Sequence, residues 1–383
     1  MKTALIPALA GAAGFAWLAG GTSLAGPAAS LLLPVVIALS RSRQHAFAAA
    51  LAYYLAGSVS IIGAVASYYG TGHSLPGILA WVGASAVLAL PWIAARHSAL
   101  GALFALLATA LPPLGVIGWL SPLNAAGVLF PATGWLGLIC TISLIADIPK
   151  GRLFTWKPYR YWIPGIFVTA QAVHTFVPLI PPTGWSGLQT VVMPARGDVA
   201  TAIASQQALI NTAIHDAQGT QGARVVVFPE AVLDDWLPGT RAQFAAAVPP
   251  GQTWLIGAAT DHTNTVVMAH PALASDAPLT RAAGLLFAGN WQPWDERSLR
   301  PVWWQSVFTL EGQRVWAALC VEQLQPWTWI EAMIQRPSVV FAMSNAWWSP
   351  AGGYAPRIQI ASTRAWAKLM HVPVVWAVNH APA

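Results

Sequence analysis

Two rhythms of apolar and polar positions divide this chain near residue 183. Before that point, long apolar stretches follow one another at 4–21, 26–40, 46–69, 75–95, 98–120, 124–146 and 161–181. A bilayer core of about 30 Å is crossed by about 20 helical residues. The spacing therefore predicts a bundle of about seven membrane helices over residues 1–182, the second of them short and broken by Pro34. After residue 183 the apolar runs shrink to strand length, as in 188–194, 223–230, 253–259, 265–270, 307–310, 315–322, 338–344 and 372–379. Helix-like stretches at 198–217, 240–247, 326–336 and 355–371 alternate with some of them, which predicts an α/β domain over 183–383. The stretch 271–305 is irregular, and loops of that length in a compact domain usually serve function.

Composition agrees with a membrane protein. Of 383 residues only 8% are charged and 56% are apolar, and mean hydropathy is +0.55. A soluble domain carries about 25% charged residues, so a purely water-soluble chain is excluded, as is a disordered one. Residues 1–182 hold one acid, Asp147, and eight Lys or Arg. Those bases lie before the first span and after the second, fourth and sixth, while loops 22–25, 70–74 and 121–123 carry none. By the positive-inside rule this reads as membrane orientation and not as a nucleic-acid surface. The N-terminus is then cytoplasmic in a bacterial inner membrane and 183–383 periplasmic. The first stretch does not read as a signal peptide, because the hydrophobic pattern continues for six more segments. Two distant cysteines give no disulfide framework. The scattered histidines and the absence of a standard phosphate-binding glycine loop predict neither metal nor cofactor. A transporter would need more intramembrane ionisable groups than Asp147.

Two strand ends carry chemistry. The run 224–228 leads into Pro229-Glu230, and the run 315–319 leads into Cys320-Val321-Glu322. Reactive groups gather where the strands of α/β folds end, and a thiol needs a proton acceptor to become a nucleophilic thiolate. Taken singly, each has a plain structural reading: Cys320 as a small buried apolar residue, Glu230 as a turn cap.

Together, the segments VVVFPEAVLDDW (225–236), WAALCVEQLQPW (316–327), SNAWWSPAGG (344–353) and QIASTRAWAKLMHVPVVWAVN (359–379) resemble the nitrilase superfamily. Within it they look most like the apolipoprotein N-acyltransferase branch, in which a nitrilase-like domain follows membrane helices. The conjugal-transfer TraB family of Ti-type plasmids is a smaller relative of that architecture, favoured here by Trp-rich strings such as 290–294. The resemblance implies an αββα sandwich after the bundle, with Glu230 as general base and Cys320 as the nucleophile that forms an acyl-thioester. Glu322 matches the second Glu, and Asn345 and Trp347 match the loop that shapes the acyl pocket. It also implies a phospholipid acyl donor and a protein or peptide amine acceptor.

The family's third catalytic member, a Lys that stabilises the oxyanion, has no counterpart. Lys2, Lys150, Lys157 and Lys368 all lie elsewhere. The position falls on Arg281, or on Ala282 if the match shifts by one. Arg supplies charge and donors but cannot shuttle a proton. Three readings of Arg281 stay open: altered chemistry, a decayed site, or a surface residue without a role. The family usually continues past the Asn379 segment with further strands and another membrane helix. Two functions follow: an acyltransferase or amidase linked to conjugal plasmid transfer, or a catalytically degenerate scaffold of the conjugation machinery.

Overall fold

The computed structural model describes residues 2–381 apart from Thr22, 152–156, 192–198, Gln221, Asp234, Ala272, 275–276 and 350–352. The chain forms two compact units. The first comprises Met1–Leu179, Leu324–Met333 and Gly353–Val372; the second comprises Ile180–Gln323, Ile334–Gly352 and Pro373–Ala383.

The first unit is helical, and several of its helices are shorter than the apolar stretches that encode them. Within 98–120 the helix Ala99–Ala110 ends ahead of Pro112-Pro113, and only a 3-10 turn, Leu114–Ile117, follows. Within 124–146 the chain breaks into Ala125–Leu129 and Trp135–Asp147, around Pro131 and around Gly134, whose φ is +54°. Proline lacks the N–H that a helix interior needs, and hydropathy alone does not register that loss. Among the described residues one helix, Ser74–His97, is long and apolar enough to cross a membrane. The pair Arg43–Gly57 and Ser60–Tyr69 meets the same test only when joined across a 51° bend.

Several buried polar groups in this unit are paired across long sequence distances. Trp17 Nε1 donates to the Tyr53 hydroxyl at 2.9 Å, which donates to the Leu120 carbonyl at 2.8 Å. Ser362 of the helix Tyr354–Met370 donates to Asn124 at 2.9 Å. Beside it, a Cβ on Gly127 would fall 1.7 Å from the Ala365 carbonyl, so only glycine permits that approach.

The second unit is built on two mixed sheets. Its strands in chain order are β1 (Trp185–Gly187), β2 (Gln189–Thr190), β3 (Val225–Val227), β4 (Thr253–Thr260), β5 (Thr263–His270), β6 (Leu273–Ala274) and β7 (Thr280–Arg281). There follow β8 (Phe308–Leu310), β9 (Gln313–Leu319), β10 (Val339–Ala346) and β11 (Val374–His380). The first sheet runs β1-β3-β4-β5-β6, with β7 also paired to β5; the second runs β2-β11-β10-β9-β8. β1, β3 and β4 are parallel, as are β2, β11, β10 and β9, while β5 and β8 turn back antiparallel.

Successive side chains on a strand point to opposite faces, and that alternation sorts the core. Val225 and Val227 join Leu255, Val315, Ala317, Phe341, Met343 and Val375 in an apolar layer fed by both sheets. Val226, with Phe228 beyond the strand, faces the other way, toward Ile210, Ala213 and Ala217 of the helix Val199–Gln218 and Phe244 of the helix Pro238–Ala247. Each fully buried Val, Leu or Phe contributes about 1.5–3 kcal/mol. The two sheets therefore share one apolar interior, and the ends of their strands form its rim.

Candidate active site

β3 stops at Val227, and Pro229, which has no N–H to offer a ladder, turns the chain at Glu230. The turn lies directly on β4. A Cβ on Gly257 would meet the Pro229 carbonyl at 2.3 Å and the Glu230 Cα at 2.7 Å. Glu230 is 2% exposed. Its carboxylate accepts a hydrogen bond from Asn264 Nδ2 at 2.6 Å, and the Cys320 thiol and the Asn345 backbone N–H face it as further donors that hold its pKa down. Burial pushes its pKa from 4.5 up to about 7, against the pull of those three donors.

Cys320 follows the last residue of β9 and opens the 3-10 turn Cys320–Gln323. Its φ is +46°. A non-glycine residue in that region is held there by its surroundings at a cost of about 1–3 kcal/mol. The restraint is visible in Glu322, which is fully buried. One of its oxygens accepts from the Leu319 N–H at 2.8 Å, the other from the Gly284 N–H at 3.1 Å. Gln323 anchors the far side of the turn, donating to Ser344 Oγ at 2.7 Å and the Met343 carbonyl at 3.2 Å. Strand, strained residue and helical turn together push the thiol out of the apolar layer toward the carboxylate.

Asn345 ties the Glu230 turn to the second sheet. Its Nδ2 donates to the Ala231 carbonyl at 3.1 Å, and its Oδ1 accepts from Asn379 Nδ2 at 2.8 Å. Asn379 in turn accepts from Thr190 at 2.9 Å. Asn345 and Asn379 are register partners on β10 and β11, so the amide chain follows the parallel pairing. Trp347 sits half-buried in the turn after β10.

Thus Glu230, Cys320, Glu322 and Asn345 converge, and Arg281 does not join them. On the two-residue strand β7, Thr280 points inward and Arg281 is exposed. The neighbouring Ala282, 1% exposed, packs into the layer between the sheets. Among the described residues no cation acts on Glu230. Sequence reasoning also missed Asn264, the second residue of β5, which lies against the carboxylate. A polar residue at the buried start of a strand was its one signal. No cluster of three His, Cys, Asp or Glu able to hold a metal ion occurs among the described residues.

This arrangement offers a thiol, a carboxylate able to take its proton near neutral pH, and an amide frame that fixes both. Such a set suits nucleophilic acyl chemistry.

No family model matches the chain. It is 29% identical over 379 residues to the probable conjugal transfer protein TraB of Sinorhizobium fredii, covering 91% of this chain and 93% of that one. It is 30% identical over 383 residues to the conjugal transfer protein TraB of Agrobacterium fabrum, covering 91% and 87%. Similarity that runs nearly end to end in both means that the chain belongs to the TraB family of conjugal transfer proteins.

Proposed function

We propose that this protein is a membrane-integrated, nitrilase-like acyltransferase or amidase that forms an acyl-thioester on Cys320 and serves conjugal plasmid transfer. The observation that carries the reading is the buried Glu230 carboxylate receiving the thiol of a conformationally strained Cys320. The names of the relatives support the link to conjugation. The hydropathy pattern and basic loops support a bacterial inner-membrane protein with 183–383 in the periplasm.

In the first half-reaction Glu230 takes the thiol proton while Sγ attacks the ester carbonyl carbon of a phospholipid. The carbonyl π pair moves onto oxygen. Collapse of that tetrahedral adduct breaks the C–O bond, and the departing alkoxide recovers the proton from Glu230. In the second half-reaction an amine of a protein or peptide attacks the thioester and loses a proton to Glu230. The C–S bond breaks, and the proton returns to sulfur. Arg281, being exposed, takes no part.

That no cation acts on Glu230 among the described residues favours the second reading, a degenerate nitrilase-like scaffold of the conjugation machinery. Plasmid transfer frequency separates the two. Cys320→Ala and Glu230→Gln alleles, expressed at wild-type level, are each expected to lower transfer to the level of a strain lacking the protein. Wild-type transfer in both would leave the scaffold.

A further inference from the structure

We propose that Asn264 is the positioning residue of the Glu230–Cys320 pair, an amide that serves Glu230 in both of its protonation states where no described residue supplies a fixed positive charge. The inference rests on the reading of Glu230 as the base and deepens it.

Two independent observations carry it. Asn264 is 1% exposed and donates through Nδ2 to Glu230 Oε1 at 2.6 Å, the shortest kind of contact expected of a charge-assisted bond. Its Oδ1 is also buried and has no hydrogen-bond partner among the described residues. An orphan acceptor in such a place costs about 1–3 kcal/mol, so its retention needs a reason. The backbone of Asn264 is fixed at the start of β5, where its carbonyl also receives the Ala282 N–H at 2.8 Å. The side-chain amide can therefore rotate but cannot leave.

The groups facing Glu230 come from three elements. Asn264 belongs to β5, the Asn345 N–H to β10, and Cys320 to the end of β9. Cys320 is the one other titratable group acting on it among the described residues. A cation at the Asn264 position would hold Glu230 ionised whatever happened to the thiol proton, since an opposite charge within about 4–6 Å typically lowers a carboxyl pKa by 1–3 units. An amide behaves differently. With Nδ2 toward the carboxylate it stabilises the ionised form; turned by half a revolution, Oδ1 accepts the proton of the neutral carboxyl. Either state leaves one end of the amide unpaired, so neither is strongly preferred, and the base can gain and lose a proton at small cost.

The test is the pH profile of Cys320 alkylation in the full-length protein in detergent. The probe is iodoacetamide, read on the Cys320 peptide so that Cys140 does not contribute. The wild-type rate is expected to rise with a midpoint near neutral pH. Asn264→Leu should move that midpoint upward by about one unit or more, and Asn264→Lys downward by about 1–3 units. If Asn264→Leu does not fold, Asn264→Ser, whose hydroxyl is too short to span the gap, should move it in the same upward direction. Midpoints identical to wild type in folded Asn264→Lys and Asn264→Leu (or →Ser) would overturn the role of Asn264. A neutral midpoint that persists in Glu230→Gln would instead overturn the pair itself, and the inference with it.

Discussion

The apolar interior between the two sheets and its rim are built from the same strands yet obey opposite rules. Between the sheets, Val225, Val227, Leu255, Phe341 and Met343 bury apolar surface and nothing titrates in that layer. A few residues further along the same strands stand Glu230, Cys320, Glu322 and Asn345, polar groups taken out of water and paired one by one. The interior gains stability from burial alone. At the rim, burial costs stability, and hydrogen bonds only partly offset it. Two non-glycine residues with positive φ also stand there, Ala231 at +43° and Cys320 at +46°. Local rules broken at one end of an otherwise consistent fold mark where function resides.

The largest expected effect lies in the interior. Phe341→Ala empties a fully buried site between the sheets and should cost about 3–5 kcal/mol in denaturant unfolding. In the protein that remains folded, the pH profile of Cys320 alkylation should not move. A shift would mean that interior and rim are not separable.

At the rim the sign reverses. Folding raises the Glu230 pKa from 4.5 to about 7, so the folded chain holds this proton more tightly than the unfolded one. Its contribution is therefore most favourable below 4.5 and is lost as the pH climbs through about 7. At about 1.4 kcal/mol per unit, wild type should lose roughly 3 kcal/mol between pH 4.5 and pH 8 on account of this group. Glu230→Gln should remove that slope, leaving a variant more stable than wild type at pH 8 and inactive. Parallel stability curves for the two proteins across this range would contradict the assignment.

Smallest is Arg281→Ala. The side chain is exposed on β7, so stability should change by no more than about 0.5 kcal/mol and Cys320 alkylation should be unaffected. Any large loss of reactivity would return Arg281 to the site and blur the boundary between surface and rim.

The same division explains what could be read from sequence. Apolar runs such as 224–228 and 338–344 announced β3 and β10, because burial on both faces leaves a continuous hydrophobic signature. The motif positions around Glu230 and Cys320 were legible because a carboxylate and a thiol at strand ends are chemically conspicuous. Arg281 was not settled, since on a strand one residue of register decides between core and solvent. Here Ala282 faces the core and Arg281 faces away. Asn264 was invisible for a related reason: its partner Glu230 lies 34 positions away in the chain, and only the pairing of β4 with β5 brings them together. In the helical unit, hydropathy followed the apolar stretches but not their breaks at Pro112-Pro113 and near Pro131.

The claim at the centre of this account is that Cys320 becomes acylated. Purified full-length protein incubated with phospholipid, then measured by mass spectrometry of the intact protein and of its peptides, tests it most directly. The account predicts a gain of one acyl mass on the Cys320 peptide, removed by neutral hydroxylamine, absent in Cys320→Ala and strongly slowed in Glu230→Gln by about 10²–10⁴-fold. Wild-type protein that takes up no acyl group from any phospholipid class, while remaining folded and with Cys320 open to alkylation, would contradict it.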